Sequence, residues 1–558
     1  MTMLYVVIGA TAFPLLLYMA VGFWRGSRSR SVEDYFVYGQ TVSTSDYANT
    51  SVSYAMQMAA VFLFSYWAGL YGLGALWTPL FWGLGFWLLL VLLPKFLPFH
   101  SHGSTMHKYL ADSFGGARQL QRTLQLLAAC ATVVGLWGTM MAEVDYTIQI
   151  YSPIFTTTRS QYVLGSFFLL FGLIYIVFNG YKAEVNTARF QVPVEYLGFI
   201  FVLLLVLPTV WIHSGHSAFW VIWWLLFVIF AILLTGKLMV GWKRAIRDPQ
   251  TLIPLIGFAA LAFVVPYVYR LVAGHQSSVL NLPLKQQFYA QGPLGLFSLL
   301  LANALWMPVD LSTWQRISSV KGTADDLLHS LRKGTRRVLF ESPATWMLGV
   351  ALGLTISSGG FLGNANDPSQ GLLLFSSALA SRSMTSYLPG LLASLAYPVF
   401  IVACLSVMLS TVHSIISAIS FTAYNDLLPP NRPSLTAARV WTIILVLLGM
   451  AVYPYLRIKL GASLPTILYG AYSAQLSLFV IAILALLKKR LNGVAAIASI
   501  LFGFVATGLS VYLALKVTDP DAAVLPPIFA LLAAIIGYVI FFRVRRSTRS
   551  STLEKGSS

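Results

Sequence analysis

The residues from Ala396 to Pro430, AYPVFIVACLSVMLSTVHSIISAISFTAYNDLLPP, carry a hydroxyl stripe through a segment apolar enough to cross a membrane. Ser406, Ser410, Ser414 and Ser417 follow spacings of four, four and three, with Thr411 beside them, so they share one face of a helix. In a bilayer such a face meets another helix, water or an ion. Hydroxyl oxygens can serve such an ion as uncharged ligands. The alternative is small-residue packing, or bonding of each hydroxyl back to its own helix.

Four carboxylates join the stripe inside apolar segments: Glu143, Asp145, Glu195 and Asp310. An ionisable residue at membrane depth is expensive unless it is paired, hydrated or functional. Glu143 and Asp145 are two residues apart and face roughly opposite ways on a helix, so at most one lines a pathway. No comparable set of buried Lys or Arg accompanies these acids in the spans. An anionic solute would meet repulsion, which favours a neutral polar or cationic solute, or acids that carry protons. His413, one turn from Ser410, is read as a packing residue, with titration as the alternative.

The elements that must hold these groups are membrane helices. With 58% hydrophobic and 10% charged residues and a mean hydropathy of +0.76, a water-soluble domain could not cover itself with polar surface. Fifteen candidate spans lie near 4–24, 47–69, 72–97, 121–151, 162–180, 188–211, 218–240, 251–271, 293–315, 338–358, 389–424, 437–456, 464–487, 492–515 and 523–542. With the amino terminus outside, all but seven of the 36 Lys and Arg fall at cytoplasmic ends or loops. The exceptions are Arg159, Arg270, Lys285, Arg382, Arg457, Lys459 and Lys516. Clusters sit at RGSRSR (25–30), KRAIR (243–247), RKGTRR (332–337), KKR (488–490) and RVRRSTR (543–549). The net charge of +18 is therefore topology and not a nucleic-acid site. The first span has no basic residue before it and a cluster after it, the reverse of a secretory signal. Cys130 and Cys404 fall within spans, so no disulfide framework is expected. The longest external connection, about 360–388, is too short for a catalytic domain. No nucleophile, metal-ligand or phosphate-loop constellation stands out, and an enzyme is not expected.

Several segments resemble, in order, the signatures of the sodium:solute symporter family. DYFVYGQTV (34–42) matches D-F-F-x-A-G-R-x-L at Asp34, Phe36 and Gly39, with Tyr38 and Gln40 replacing Ala and Arg. ANTSVSYAMQMAAVFLFSYWAGLYGLGALW (48–77) follows. TMHKYLADSFG (105–115) fits T-x-x-x-Y-L-x-x-R-F-G in looser spacing through Thr105, Tyr109, Leu110, Phe114 and Gly115, with Ser113 at the Arg. GYKAEVNTARFQ (180–191) fits G-G-x-x-A-V-x-x-T-D-x-x-Q at Gly180, Ala183, Thr187 and Gln191, with Ala188 at the Asp. WQR (314–316) and MLSTVHS (408–414) complete the series. DLSTWQR (310–316) looks most like the family's urea and polyamine branch.

The resemblance implies an all-α polytopic membrane protein with a LeuT-like architecture: two five-helix repeats of inverted topology and a midplane site between broken helices. Residues 1–46 form an accessory amino-terminal helix and cytoplasmic loop, and 47–211 the first repeat. Residues 212–292 hold two inserted helices, 293–487 the second repeat, 488–543 two accessory helices and 544–558 a basic cytoplasmic tail. The family's shared sodium site would use carbonyls of Tyr54, Gln57 and Val407 and the hydroxyls of Ser410 and Thr411. Carboxylates that some members place at Met56 and Ala188 are missing. Glu195 lies seven residues after Ala188, within roughly 20° of the same helix face and about 10 Å deeper. It is the candidate to sense the coupling ion or carry a proton, the alternative being a protonated Glu bonded to a neighbouring helix. Gln57, Asp310 and Trp314 are the candidates for solute contact, Trp314 serving otherwise as an interfacial anchor and Asp310 as a helix-end bond. Pro308 supplies a break beside them. Val61 stands where sugar-transporting members carry a polar side chain, which disfavours sugar. The expected function is Na⁺-coupled symport of a small neutral or cationic organic solute, with H⁺ as the other coupling ion. A transporter-like sensor with a separate signalling chain is the rival, although the carboxyl end RVRRSTRSSTLEKGSS brings no kinase. The expected setting is the plasma (inner) membrane, amino terminus outside and carboxyl terminus cytoplasmic. No cofactor is expected beyond the ion. Partners are the solute and the lipid bilayer, with a protein partner left open.

Overall fold

The computed structural model describes residues 2–24, 29–102, 105–239, 292–358, 371–385, 390–427, 432–454, 464–488, 491–516 and 524–554. The expected span at 251–271, the KRAIR cluster and Arg270, Lys285, Arg457 and Lys459 lie outside them. Eleven described helical stretches are long and apolar enough to cross a membrane.

In chain order, α1 (Thr2–Trp24), α2 (Val32–Val37), α3 (Thr44–Ala55), α4 (Met58–Tyr71) and α5 (Trp77–His102) open the chain. Then come α6 (Met106–Phe114), α7 (Arg118–Gln149), α8 (Thr158–Asn179) and α9 (Tyr181–Met239). After residue 291 follow α10 (Gly292–Ala304), α11 (Leu311–Ser319), α12 (Ala324–Ser358) and α13 (Gly371–Ala380). The rest is α14 (Gly390–Thr422), α15 (Leu435–Pro454), α16 (Leu464–Leu476), α17 (Phe479–Leu486), α18 (Gly493–Ala514) and α19 (Pro526–Glu554).

The helix α9 covers two expected spans in one helical stretch, yet it doubles back. Tyr196 donates to the Glu341 carbonyl at 3.1 Å, and the Lys237 ammonium is 3.4 Å from the same residue's carboxylate. The residues between them would extend about 60 Å as a straight helix. The turn falls between the spans Tyr181–Ile212 and Ala218–Leu238, where Trp211 and Phe219 bring their rings to 4.8 Å.

Two expected spans are broken instead. At the first break, Met56 (φ −82°, ψ 78°) and Gln57 (φ −87°, ψ 141°) leave helical geometry between α3 and α4. No Gly or Pro forces this, so partners from elsewhere must hold the ends. Trp346 of α12 donates its indole N–H to the Ala55 carbonyl at 2.6 Å, and Glu143 of α7 takes the amides on the other side. At the second break, α10 ends and a short 3₁₀ turn, Met307–Val309, leads to extended Asp310. Here Pro308 removes an amide and dictates the interruption.

At one end of the bundle, the start of α3 and the end of α11 are stapled. Val42 N–H donates to Ser319 O and Lys321 N–H to Val42 O, both at 3.1 Å. In the centre runs α14, buried on every side from Ala403 to Ile419. A Cβ on Gly198 of α9 would lie 2.6 Å from the Ala403 Cβ, so only a glycine lets these two helices approach closely enough to share polar groups. Lipid-facing surface is carried by outer helices such as α8, where Val163, Phe167, Leu170, Ile174 and Phe178 are exposed at helical spacing.

Candidate ion and solute site

The hydroxyl stripe of α14 faces α1, α3, α9 and α11, and each step of it meets a different partner. At the top, the Ser406 and Tyr18 hydroxyls pair at 2.6 Å. One turn down, Ser410 Oγ lies 3.0 Å from the Ser53 carbonyl and 2.8 Å from the Val407 carbonyl. Ser53 Oγ donates to Glu195 Oε1 at 3.4 Å. Glu195 is fully buried and makes no ion pair among the described residues, and its Oε2 and the neighbouring Thr411 Oγ1 have no hydrogen-bond partner there.

The break in the first core helix supplies oxygens at this level. Gln57 N–H turns to Ala55 O at 3.1 Å, and Met58 N–H to Glu143 at 2.7 Å. The Ser53 and Tyr54 carbonyls thereby lose the amides that a continuous helix would give them. Of the five expected sodium ligands, Val407, Ser410 and Thr411 stand together on α14, and Tyr54 O is freed across from them. Gln57 O accepts from Val61 N–H at 2.9 Å. Ser53 was missed, because its role depends on where the broken helix lands against Ser410.

The next turn of the stripe is arranged differently. Ser414 Oγ donates to Glu184 Oε1 at 2.6 Å, and the Arg316 guanidinium reaches Glu184 Oε1 at 3.0 Å and Ser414 Oγ at 2.9 Å. The same guanidinium lies 4.3 Å over the Tyr54 ring, a cation–π contact. Below it, Gln315 donates to Ser417 Oγ at 3.0 Å and to the Phe36 carbonyl at 2.7 Å. His413 Nδ1 is hydrogen-bonded to the Tyr175 hydroxyl.

These contacts correct the expectation that buried cations are lacking. Arg316, Arg337 and Lys237 are all buried. Arg337 is bidentate on Glu341, at 2.8 and 3.1 Å, and Lys237 joins it. Each comes from a segment that charge patterning assigns to the membrane edge, and each buries its head group against an acid. The buried acids Glu143, Glu195 and Asp310 make no ion pair among the described residues.

Around the two breaks the solute candidates separate. Asp310 caps α11: its oxygens take Ser312 N–H at 3.3 Å, Thr313 N–H at 2.9 Å and the Thr313 hydroxyl at 2.7 Å. It also accepts from the Tyr54 hydroxyl at 3.1 Å. Gln57 Oε1 accepts from Tyr472 at 2.9 Å, while its Nε2 has no partner among the described residues. Trp314 is elsewhere, its indole donating to Pro308 O at 2.9 Å and its ring 4.6 Å from both Phe96 and Phe99. The tryptophan at the break is Trp306, fully buried, 5.2 Å from Tyr472 and 6.1 Å from Tyr54 by ring centroid, with its Nε1 unpartnered. Sequence reasoning passed over it, although it lies two residues before the helix-breaking Pro308.

No protein-family model matches the chain, and no curated protein matches it. Among solved structures it is similar to a Na⁺-coupled sialic acid symporter in a substrate-bound outward-open state. That likeness covers 98% of each chain at 14% identity, with a TM-score of 0.63. A second similar structure is MhsT in complex with L-phenylalanine, covering 89% of this chain and 98% of that one at 14% identity, TM-score 0.42. The first likeness establishes the fold. The chain is an all-α, multi-pass membrane protein of LeuT-like architecture.

Proposed function

We propose that this protein is a secondary active transporter, coupling inward flow of Na⁺ to uptake of a small neutral or cationic organic solute by alternating access. The observation that carries the reading is Glu195, a buried carboxylate with one oxygen unpartnered, beside Ser53, Ser410 and the unpartnered Thr411. A buried charge requires a counter-charge, and the oxygens gathered there suit an alkali cation. The proposed ligands are the Ser53, Tyr54 and Val407 carbonyls, the Ser410 and Thr411 hydroxyls and the Glu195 carboxylate. The shared fold with a Na⁺-coupled symporter supports the coupling ion. That relative's solute, sialic acid, carries a carboxylate. The buried acids that make no ion pair among the described residues favour a solute that lacks one.

The proposed repeats are 47–211 and 293–487, with the membrane orientation set by the basic clusters, so that the stapled ends of α3 and α11 close the cytoplasmic side. Sodium bound between α3 and α14 would hold these elements together, and its release would free α3 to move. A second reading, H⁺ coupling, is favoured by the same carboxylate, since a proton on Glu195 removes the buried charge without any metal ligand.

Thermal unfolding of the purified protein in NaCl and in KCl at fixed pH separates the two. Sodium coupling predicts a saturable Na⁺-specific stabilisation that Glu195→Gln and Thr411→Val weaken. Equal melting in both salts with a Glu195-dependent response to pH would replace Na⁺ by H⁺. The absence of both responses would overturn the reading.

A further inference from the structure

At the first broken helix the amino terminus of α4 lies inside the bundle, where free amides and the helix dipole make an anion cradle. In this protein the cradle is already filled. Glu143, fully buried, reaches across from α7 and accepts Met58 N–H at 2.7 Å on one oxygen and Ala59 N–H at 3.0 Å on the other. A carboxylate so placed has both oxygens engaged and holds the position that the carboxylate of an acidic solute would need. The cap also explains a break that no proline or glycine encodes.

Near the two breaks, three buried polar atoms have no hydrogen-bond partner among the described residues: Gln57 Nε2, Trp306 Nε1 and the Tyr146 hydroxyl. Gln57 is the residue before α4, and Tyr146 lies on the same face of α7 as Glu143, three residues on. Trp306 comes from the second break and approaches Gln57 through Tyr472, whose hydroxyl bonds Gln57 Oε1 at 2.9 Å and whose ring is 5.2 Å from the Trp306 ring. Buried polar groups are normally satisfied, so atoms of one cluster left open together mark the place where a ligand completes them. Two of the three are obligate donors. The ligand must therefore present acceptor oxygens to them and an apolar or cationic face to the Trp306, Tyr472 and Tyr54 rings.

We propose that Glu143 is a resident anion that sets the solute class: it occupies the half-helix cradle, excludes carboxylate-bearing solutes from it, and leaves Gln57, Trp306 and Tyr146 to receive a neutral or cationic organic solute through its hydroxyl, ether or amide oxygens. This rests on reading the protein as a transporter, but the capping role can be tested apart from transport.

Purified wild type, Glu143→Ala and Glu143→Gln are melted in sodium chloride, sodium formate and sodium acetate at equal Na⁺ and ionic strength. Removing the side chain to Ala opens both the volume and the two amides, so formate or acetate raises the melting temperature of that variant in a saturable way. The wild type does not respond, and Glu143→Gln, whose amide fills the volume, does not either. The wild type is then screened with pairs that differ in a carboxylate, propionamide against propionate and choline against glycine betaine. The member without the acid gives the shift. Equal formate or acetate effects on wild type and Glu143→Ala would overturn the proposal, as would a wild-type shift from the acid member of a pair alone. The paired screen decides the matter even if the Ala variant does not fold. Rescue by formate needs no transported solute, so its failure removes the capping role and leaves the transport reading standing. A missing Na⁺ or pH response with rescue intact does the reverse.

Discussion

Two neighbouring turns of α14 face the same kind of partner, a buried glutamate on α9, and differ in what neutralises it. At Ser414 the acid is Glu184 and the counter-charge is built in, because Arg316 donates to both at 2.9 to 3.0 Å. At Ser410 the acid is Glu195, and the described surroundings contribute hydroxyls and carbonyls but no ion-paired cationic side chain. The lower turn carries its counter-charge within the chain and joins α9, α11 and α14, although Glu184 Oε2 and Arg316 Nε have no hydrogen-bond partner among the described residues. In the proposed reading the upper turn is completed by an ion that comes and goes. A stripe that looks uniform in sequence is thus divided by one arginine from another helix.

The largest effect should come from removing that arginine. Arg316→Met leaves Glu184 buried and uncompensated, at a cost of roughly 3 to 5 kcal/mol, seen as a steep drop in the denaturation midpoint. Adding Glu184→Gln should recover most of the loss, since breaking a buried pair costs far more than replacing both partners. A single variant as stable as the wild type would show that the lower turn does not depend on its internal cation.

Glu195→Gln should behave in the opposite sense. In K⁺ it should match or exceed the wild type, because it removes an unpaired buried charge. In Na⁺ it should lose the sodium-dependent increment, which is about 2.7 kcal/mol when the ion is at a hundred times its dissociation constant. A variant that keeps the full increment would take Glu195 out of the site.

Smaller again are the hydroxyl ligands. Thr411→Val and Ser410→Ala should each raise the half-saturating Na⁺ concentration by roughly tenfold, equivalent to about 1.4 kcal/mol. Thr411→Val carries the cleaner signal, since its Oγ1 makes no hydrogen bond among the described residues and its removal costs no internal contact.

Sequence legibility follows how local each cause is. Helical membrane segments are written in runs of apolar residues, and most expected spans coincide with described helices. The Pro308 break is local too. The break at Met56 and Gln57 has no local cause: it depends on Glu143 and Trp346, which lie 86 and 289 residues beyond Gln57, and only the family resemblance suggested it. Trp314 and Trp306 show the same limit. Both sit in the second broken helix, and side-chain type could not tell which one packs against Phe96 and Phe99 and which one meets Tyr54 and Tyr472. Arg316 was counted as a membrane-edge charge because its stem and head were invisible in a charge tally.

The smallest predicted effect tests where the divide on α14 falls. Ser417 belongs to the lower turns and accepts from Gln315, whose amide also holds the Phe36 carbonyl at 2.7 Å. Ser417→Ala deletes one neutral hydrogen bond while Gln315 keeps its other partner, so stability should fall by only about 0.5 to 1.5 kcal/mol. Half-saturation by Na⁺ should not change, because Ser417 is seven residues below Ser410, about 10 Å along the helix axis. Equilibrium denaturation and Na⁺ titration of the same variant measure the two quantities separately. A shift in Na⁺ affinity as large as that of Ser410→Ala would mean that the stripe acts as one ion path through both turns, with Arg316 a mobile plug within it instead of a fixed counter-charge.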